Sequence, residues 1–122
     1  MIDFENKGFF KLKQNMEYAD RVAELLLEGE QVIDSYKSMR DGVVFTNKRI
    51  IAVNVKGLTG SKRDFTSLPY KDIVAYSIET SGTFDIDSEL QIYFSSLGKV
   101  QFEFTGRTAI VEISKHISRH AL

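Results

Sequence analysis

The chain has 122 residues, a formal net charge of −1, 43% hydrophobic and 27% charged residues, and no cysteine. This length and balance indicate one domain over residues 1–122 with an ordinary hydrophobic core. The charge gives no bulk attraction to nucleic acid, and the absence of cysteine excludes disulfides and thiolate metal sites. Without a signal-peptide pattern or an apolar run of membrane-spanning length, we expect a cytoplasmic location.

The first 28 residues are predicted to form an arm, residues 1–14, followed by a helix over 15–28. Four side chains make the arm too apolar for a solvated tail: Phe4, Phe9, Phe10 and Leu12. We therefore expect it to dock on the domain or on a neighbouring subunit. Asn15 is the expected helix cap, and Gly29 is the expected stop.

Seven extended segments are predicted between residues 31 and 105, each bounded by turn residues. They lie near 31–39, 42–47, 49–55, 63–68, 73–80, 89–95 and 99–105. Asp41-Gly42 predicts the first turn, and Asn47, which tolerates positive φ, predicts the second. Strict alternation in the last two segments predicts an antiparallel sheet with one face on a core.

The hydrophobic period changes after Gly106, where a C-terminal helix over 108–121 is predicted. Thr108 is the expected cap. One apolar stripe consists of Ile110, Ile113, Ile117 and Ala121. We expect this stripe to cover the open corner of the sheet.

Four runs of this sequence together resemble the bacterial pleckstrin-homology (PH) domain family, over about residues 17–120. They are Val44–Ile51 (VFTNKRII), Gly57–Gly60 (GLTG), Leu68–Ile73 (LPYKDI) and Ser77–Leu90 (SIETSGTFDIDSEL). The resemblance implies a mainly β, PH-like barrel of seven antiparallel strands in two orthogonal sheets, capped by the C-terminal helix, with an extra N-terminal helix. It also implies a stand-alone cytoplasmic module that forms cyclic homo-oligomers, with no established enzyme activity or ligand.

Basic residues are the first candidates for binding. PH domains that bind phosphoinositides carry a basic cluster around the loop between their first two strands, where this chain has Lys37 and Arg40, the latter beside Asp41. We therefore do not expect phosphoinositide binding by the usual route. A second basic group consists of Lys48, Arg49, Lys56, Lys62 and Arg63. It could receive an anionic partner, or it could simply guard strand edges against pairing.

Metal and catalytic sites are not expected. Asp85, Asp87 and Glu89 alternate like calcium ligands, but Leu90 and Ser96 stand where an EF-hand needs Gly and Glu. We interpret the three carboxylates as solvating a loop. His116 and His120 share a helix face without further ligands nearby, and we interpret them as surface residues. No nucleophile motif is present, so we expect neither enzyme activity nor a cofactor.

Aromatic residues indicate an oligomer interface, for which the candidates are Tyr76, Phe84 and Tyr93. The segment 73–80 is apolar on both faces, so it needs a second cover, either the N-terminal helix or another subunit. The first hypothesis is a self-assembling module that binds a protein or peptide in a groove beside the C-terminal helix. The alternative is a peripheral binder of anionic lipid or a membrane surface. An enzyme would need a deep pocket with convergent polar groups.

Overall fold

The computed structural model of the chain describes residues 1–80, 87–106 and 108–122. The described part contains eight strands and two α-helices. In chain order they are β1 (Phe9–Gln14), α1 (Glu17–Val22), β2 (Val32–Ser38), β3 (Asp41–Thr46), β4 (Arg49–Lys56), β5 (Lys62–Pro69), β6 (Ile73–Thr80), β7 (Ser88–Phe94), β8 (Gly98–Phe104) and α2 (Ile110–Ala121). Short 3-10 turns occupy Ala23–Leu25 and Tyr70–Asp72.

All eight strands form one sheet in the order β5-β4-β3-β2-β1-β8-β7-β6. Every neighbouring pair is antiparallel except β1 and β8, which run parallel. The prediction of seven antiparallel strands in two orthogonal sheets is therefore wrong in three respects: β1 is an eighth strand, it makes the sheet mixed, and it joins all the strands into one sheet. The predicted C-terminal helix is confirmed.

β1 inserts the predicted arm between β2 and β8. Phe9 pairs with Phe102 and Leu12 with Phe104, with a register shift between them. Lys11 has φ of 56° inside this shift, so two apolar residues three apart both face the core. Farther up the arm, the Ile2 N–H donates to Thr66 Oγ1 at 3.2 Å. The arm thus docks on its own domain, the first of the two expected outcomes.

α1 is shorter than the predicted helix over 15–28, because it changes to a 3-10 turn after Val22. The N-cap of the helix is Met16 and not the expected Asn15, whose Oδ1 nevertheless accepts a hydrogen bond from Glu17 N at 2.8 Å. α1 packs on β2 and β3, where a Cβ at Gly42 would lie 2.4 Å from the Tyr18 ring. Only glycine therefore allows this approach. The helix covers the outer face of β3 and β4 through a second small cluster that includes Tyr18, Val22, Val44 and Ile51.

Among the described residues, no element of this chain gives β6 the second cover that its apolar composition predicted. α1 lies on β2 and β3 instead, and Val74 of β6 is 67% exposed. The pairing of β6 with β7 shifts between Ile73 and Ala75, which breaks the strict alternation of this strand. Within this chain the strands buried on both faces are β3 and β4, so the N-terminal helix is excluded as the cover of 73–80, and cover by another subunit stays a prediction.

Two predicted turns differ in detail. The first lies at Met39-Arg40, where Met39 has φ of 45°, because Asp41 already begins β3. The second lies at Asn47 as predicted, but Asn47 is not among the residues with positive φ. Its side chain works through hydrogen bonds instead, since Oδ1 accepts from Gln31 N at 2.8 Å and Nδ2 donates to Gly29 O at 3.1 Å.

α2 packs against β6, β7 and the Tyr70–Asp72 turn that joins the two end strands of the sheet. Ile110, Ile113 and Ile117 are buried in the main core, as predicted. Thr108 does not cap the helix, because its N-cap is Ala109, without a side-chain bond. Within the described ranges, neither helix is long and apolar enough to cross a membrane.

Candidate functional site

A groove lies between the first turns of α2 and the start of β2. Its lining includes Ile33, Phe45, Ala109, Glu112 and Ile113, and its volume is about 60 Å³. We call it the helix groove. Ile33 is 52% exposed although it lies in a strand, because the register of β2 with β3 shifts between Val32 and Asp34. The groove therefore has an apolar floor and one apolar residue at its rim.

The first half of β2 has an open edge beside this groove. β1 pairs only with Tyr36 and Lys37 of β2, so no described strand pairs with the outer edge of Val32–Asp34. Asp34 stays in place because its Oδ2 accepts from the Tyr36 hydroxyl at 2.7 Å. Burial, together with this carboxylate, raises the pKa of Tyr36, so Tyr36 remains a donor.

His116 borders the groove and is 5% exposed, so its interpretation as a surface residue is wrong. Its Nε2 lies 2.8 Å from Thr46 O and 3.0 Å from the Tyr70 hydroxyl, and that hydroxyl donates to Thr46 O at 2.7 Å. Because Tyr70 gives its only proton to the carbonyl, His116 Nε2 carries the hydrogen. Burial lowers the pKa of His116, which favours the neutral ring. His120 is exposed, and its Nδ1 lies 2.9 Å from His116 O.

The buried Glu30 and the partly exposed Arg49 form an ion pair at the other side of Thr46. Arg49 Nε lies 2.9 Å from Glu30 Oε2, and Nη2 lies 3.0 Å from Oε1. Thr46 Oγ1 donates to the same carboxylate at 2.7 Å, and Leu27 N does so at 3.0 Å. Burial acts to raise the pKa of Glu30, but these hydrogen bonds outweigh burial and lower it to about 2. The guanidinium of Arg49 therefore stabilises the fold and is not available to bind an anionic partner.

The five predicted basic residues lie at opposite ends of β4. Lys48 and Arg49 stand at its start, whereas Lys56 pairs in register with Lys62 at its end. Since β4 has eight residues, roughly 23 Å of strand separates the two groups. Arg63 lies with Lys56 and Lys62. The structure therefore brings three of the five together and leaves Lys48 apart.

Arg40 joins these three residues, which the sequence did not indicate. Its Nη2 donates to Gly57 O, and its own carbonyl accepts from Val55 N at 2.9 Å. Asp41 does not neutralise the adjacent Arg40, because its carboxylate lies 2.9 Å from Lys7 Nζ instead. We define the basic tip as the two adjoining turns that carry Met39, Arg40, Lys56, Leu58, Lys62 and Arg63.

The three predicted interface aromatics have different placements. The hydroxyl of Tyr76 hydrogen-bonds Ser118 Oγ on α2, so this side chain faces inward. Tyr93 is 52% exposed on the outward face of β7, beside Ala75 and Lys99 in register. Phe84 lies outside the described residues, as does Asp85 of the proposed calcium loop.

A larger cavity, of about 610 Å³, lies between the arm and the outward face of β7 and β8. Its lining includes Lys7, Gly8, Phe10, Tyr93, Lys99 and Gln101. We call it the arm cavity. Sequence reasoning missed it, because the lining comes from segments more than 80 residues apart. The local sequence feature that could have indicated this cavity is Phe10 directly after Phe9, because neighbouring strand residues point to opposite faces and Phe10 is the exposed one.

Known proteins resemble the chain in sequence and in structure. The family model described as bacterial PH domain matches residues 4–121. The uncharacterized protein YjqA of Bacillus subtilis is 46% identical over 98 residues, which cover 79% of this chain and 78% of YjqA.

Two solved structures share the fold. The crystal structure of a DUF1696 family protein with a pleckstrin-homology domain, from Shewanella loihica, is 35% identical, with a TM-score of 0.76 and coverage of 95% of this chain and 100% of that one. The crystal structure of a pleckstrin homology domain from Shewanella amazonensis is 37% identical, with a TM-score of 0.65 and coverage of 96% and 93%.

Proposed function

This chain belongs to the bacterial PH domain family, and from that premise we propose that it is a cytoplasmic, non-enzymatic interaction module. In this proposal it assembles into a cyclic homo-oligomer and binds an extended segment of a protein partner in the helix groove. The observation that carries the proposal is the open edge of β2 beside the exposed Ile33. An extended peptide can add to such an edge through backbone hydrogen bonds and place a side chain in the adjacent groove.

The chemistry of the groove defines the segment that it would take. A volume of about 60 Å³ gives room for about one small apolar side chain on the floor formed by Phe45 and Ile113. Glu112 lies at the rim and is exposed. A segment with a small apolar residue flanked by Lys or Arg therefore fits better than an acidic one.

Replacing Ile33 with Lys tests this proposal. We expect the isotope-labelled wild-type chain to show amide shifts at Ile33, Phe45 and Ile113 with basic-flanked apolar peptides from an arrayed decapeptide library. The substitution should weaken this binding by about tenfold or more, because it removes the apolar contact at the rim and sets a cation against the basic flanks of the peptide. Val111→Lys is the matched control, since Val111 is half-exposed on α2 and does not line the groove. An absence of shifts in the groove would contradict peptide binding there.

Exposed apolar residues on the outer sheet face support self-association. Val74, Ala75 and Tyr93 lie on β6 and β7, and α1 covers none of them. An uncovered cluster of this kind is typical of an interface. Sedimentation of the wild-type chain tests this point, and a monomer alone at micromolar concentrations would contradict it.

The basic tip favours a second candidate function, binding to an anionic membrane surface. Met39 and Leu58 are almost fully exposed there, and four cations surround them. Exposed apolar side chains among cations are suited to an interface that carries acidic lipids. The two candidates differ in their dependence on salt, because the electrostatic contribution is screened.

Vesicles of phosphatidylcholine with roughly one-fifth phosphatidylserine test the second candidate. Because each cation near such a surface contributes about 1 kcal/mol, we expect Lys62→Glu with Arg63→Glu to weaken binding by about tenfold or more. Lys48→Glu with Lys71→Glu is the matched control, since both residues are exposed and lie at the opposite end of β4 and β5. Equal losses in the two variants, or no vesicle binding by the wild type, would contradict this function.

A further inference from the structure

His116 has one ring nitrogen that contacts the fold and one that does not. Nε2 lies 2.8 Å from Thr46 O, and because a carbonyl oxygen has no proton to give, Nε2 is the donor. A neutral imidazole with its proton on Nε2 carries a lone pair on Nδ1, so Nδ1 is a hydrogen-bond acceptor. Within the part of the chain that the structure describes, no group donates to Nδ1 of His116.

This unpaired acceptor is accessible through the helix groove. Among the described residues, the fully enclosed side-chain atoms without a hydrogen bond are Ser35 Oγ and Ser88 Oγ. Nδ1 is not one of these enclosed atoms, so it keeps contact with solvent although His116 as a whole is buried. His116 lines the helix groove, and a molecule bound there can therefore reach Nδ1.

Binding in the groove makes this acceptor selective. A segment that fills the groove removes water from Nδ1, and an acceptor that loses water without gaining a donor is unfavourable. A site with such a group discriminates strongly against a ligand that has the right shape but lacks the hydrogen-bonding group. Asp34 also lines the groove, but its carboxylate already accepts from the Tyr36 hydroxyl and from Gln14 Nε2. Glu112 is exposed, so water competes for its carboxylate.

Threonine combines the two chemical features that this groove favours. Its methyl group suits the apolar floor of Phe45 and Ile113, and its hydroxyl supplies one donor. Valine has nearly the same volume but lacks the hydroxyl, whereas serine has the hydroxyl but lacks the methyl group. A groove of about 60 Å³ is too small for the longer side chains that carry donors.

We propose that His116 Nδ1 accepts a hydrogen bond from the hydroxyl of a threonine in the bound segment, so that His116 determines which side chain the helix groove selects. This inference rests on the proposed peptide binding and narrows its small side chain to threonine. Nε2 keeps its bond to Thr46 O, so the ring is oriented before the segment arrives. The rings of Tyr70 and His120, with centroids 5.3 and 4.4 Å from that of His116, restrict its rotation.

Paired basic-flanked decapeptides that differ only in threonine or valine at the small position test this proposal. We expect the wild-type chain to bind the threonine peptide about three- to tenfold more tightly, which is the net effect of one hydrogen bond. In His116→Gln the amide N–H can still donate to Thr46 O, but no atom replaces Nδ1, so the two peptides should bind equally. Glu112→Gln is the matched control, because it should weaken both peptides and leave their ratio unchanged.

The nitrogen NMR signals of His116 provide a test that needs no variant. Burial lowers the pKa of His116, so the ring of the wild-type chain is neutral at pH 7. We expect the Nδ1 signal to be that of an unprotonated nitrogen, to shift when the threonine peptide binds, and to stay in place with the valine peptide. A proton on Nδ1 in the free chain would overturn the proposal.

The outcomes separate this proposal from the proposed function. If both peptides shift the amide signals of the groove with equal affinity, the role of His116 is overturned while peptide binding stands. If the preference for threonine persists in His116→Gln, another group contacts the hydroxyl and the proposal is likewise overturned. If neither peptide shifts these amides, both the proposal and the proposed function are overturned. The amide spectrum of each variant without peptide shows whether the fold is intact.

Discussion

Replacing Phe9 with alanine is expected to lower the free energy of unfolding by about 3–5 kcal/mol. Phe9 is completely buried, and its ring centroid lies 5.4 Å from that of Phe102 and 6.0 Å from that of Phe4. The truncation leaves a cavity where β1 joins the two halves of the sheet, and that site cannot collapse without moving a strand. Denaturation in guanidinium chloride measures the change.

Phe10 provides the matched control, because it is the next residue and is 50% exposed. Phe10→Ala removes the same atoms from the outward side of the strand, so we expect a loss below about 1 kcal/mol. Similar losses in the two variants would contradict the inward placement of Phe9. A loss at Phe9→Ala that depends on protein concentration would instead indicate that the arm docks on a neighbouring copy.

β1 shows why part of the fold could not be predicted from sequence. Phe9 and Leu12 are three residues apart, a spacing that matches neither strict strand alternation nor a long helical stripe. The left-handed Lys11 between them turns both side chains to the core. This conformation is set by pairing with β2 and β8, which are distant in sequence, so no local pattern records it.

The elements that the sequence predicted correctly are those whose hydrophobic period follows from their own backbone geometry alone. Ile110, Ile113 and Ile117 share one face of any helix, and the alternation in β7 and β8 holds for any antiparallel pair. The cover of β6 could not be predicted in this way. Its apolar residues indicate that a cover is needed, but which element supplies it depends on where α1 packs.

The sites were predicted less well than the fold, because each depends on contacts between distant segments. Arg49 looked like a surface cation beside Lys48, yet its partner Glu30 lies 19 residues earlier in the chain. His116 looked like half of an exposed pair, yet Tyr70 and Thr46 enclose it. The sequence gives the position of a charged residue but not the residue that it contacts. The burial of these polar groups therefore could not be predicted from it.

Arg49→Met is expected to lower the free energy of unfolding by about 3–5 kcal/mol at neutral pH. The side chain of Arg49 reaches Glu30 twice, Leu25 O at 2.8 Å and Ser67 Oγ at 2.9 Å. Its removal leaves the buried carboxylate of Glu30 without a compensating charge. Lys48→Met is the matched control, because Lys48 is the neighbouring residue, is exposed, and its ammonium group has no partner among the described residues. We expect its effect to stay within about 0.5 kcal/mol.

The pH dependence of the unfolding free energy distinguishes a contribution from this ion pair from a contribution of packing alone. In the wild type the pKa of Glu30 is about 2, below its ordinary value of 4.5, so the unfolded chain binds more protons between these values. The stabilisation from Glu30 is therefore present above about pH 4.5 and is lost as the pH falls towards 2. In Arg49→Met, the hydrogen bonds and the charge of Arg49 no longer lower the pKa of Glu30, so this pKa rises relative to the wild type and mild acid should narrow the difference in stability between variant and wild type. Guanidinium unfolding at pH 7 and at about pH 4 measures this convergence. A constant difference across that range would show that Arg49 acts through packing alone, because only an unpaired buried carboxylate gains from taking up a proton.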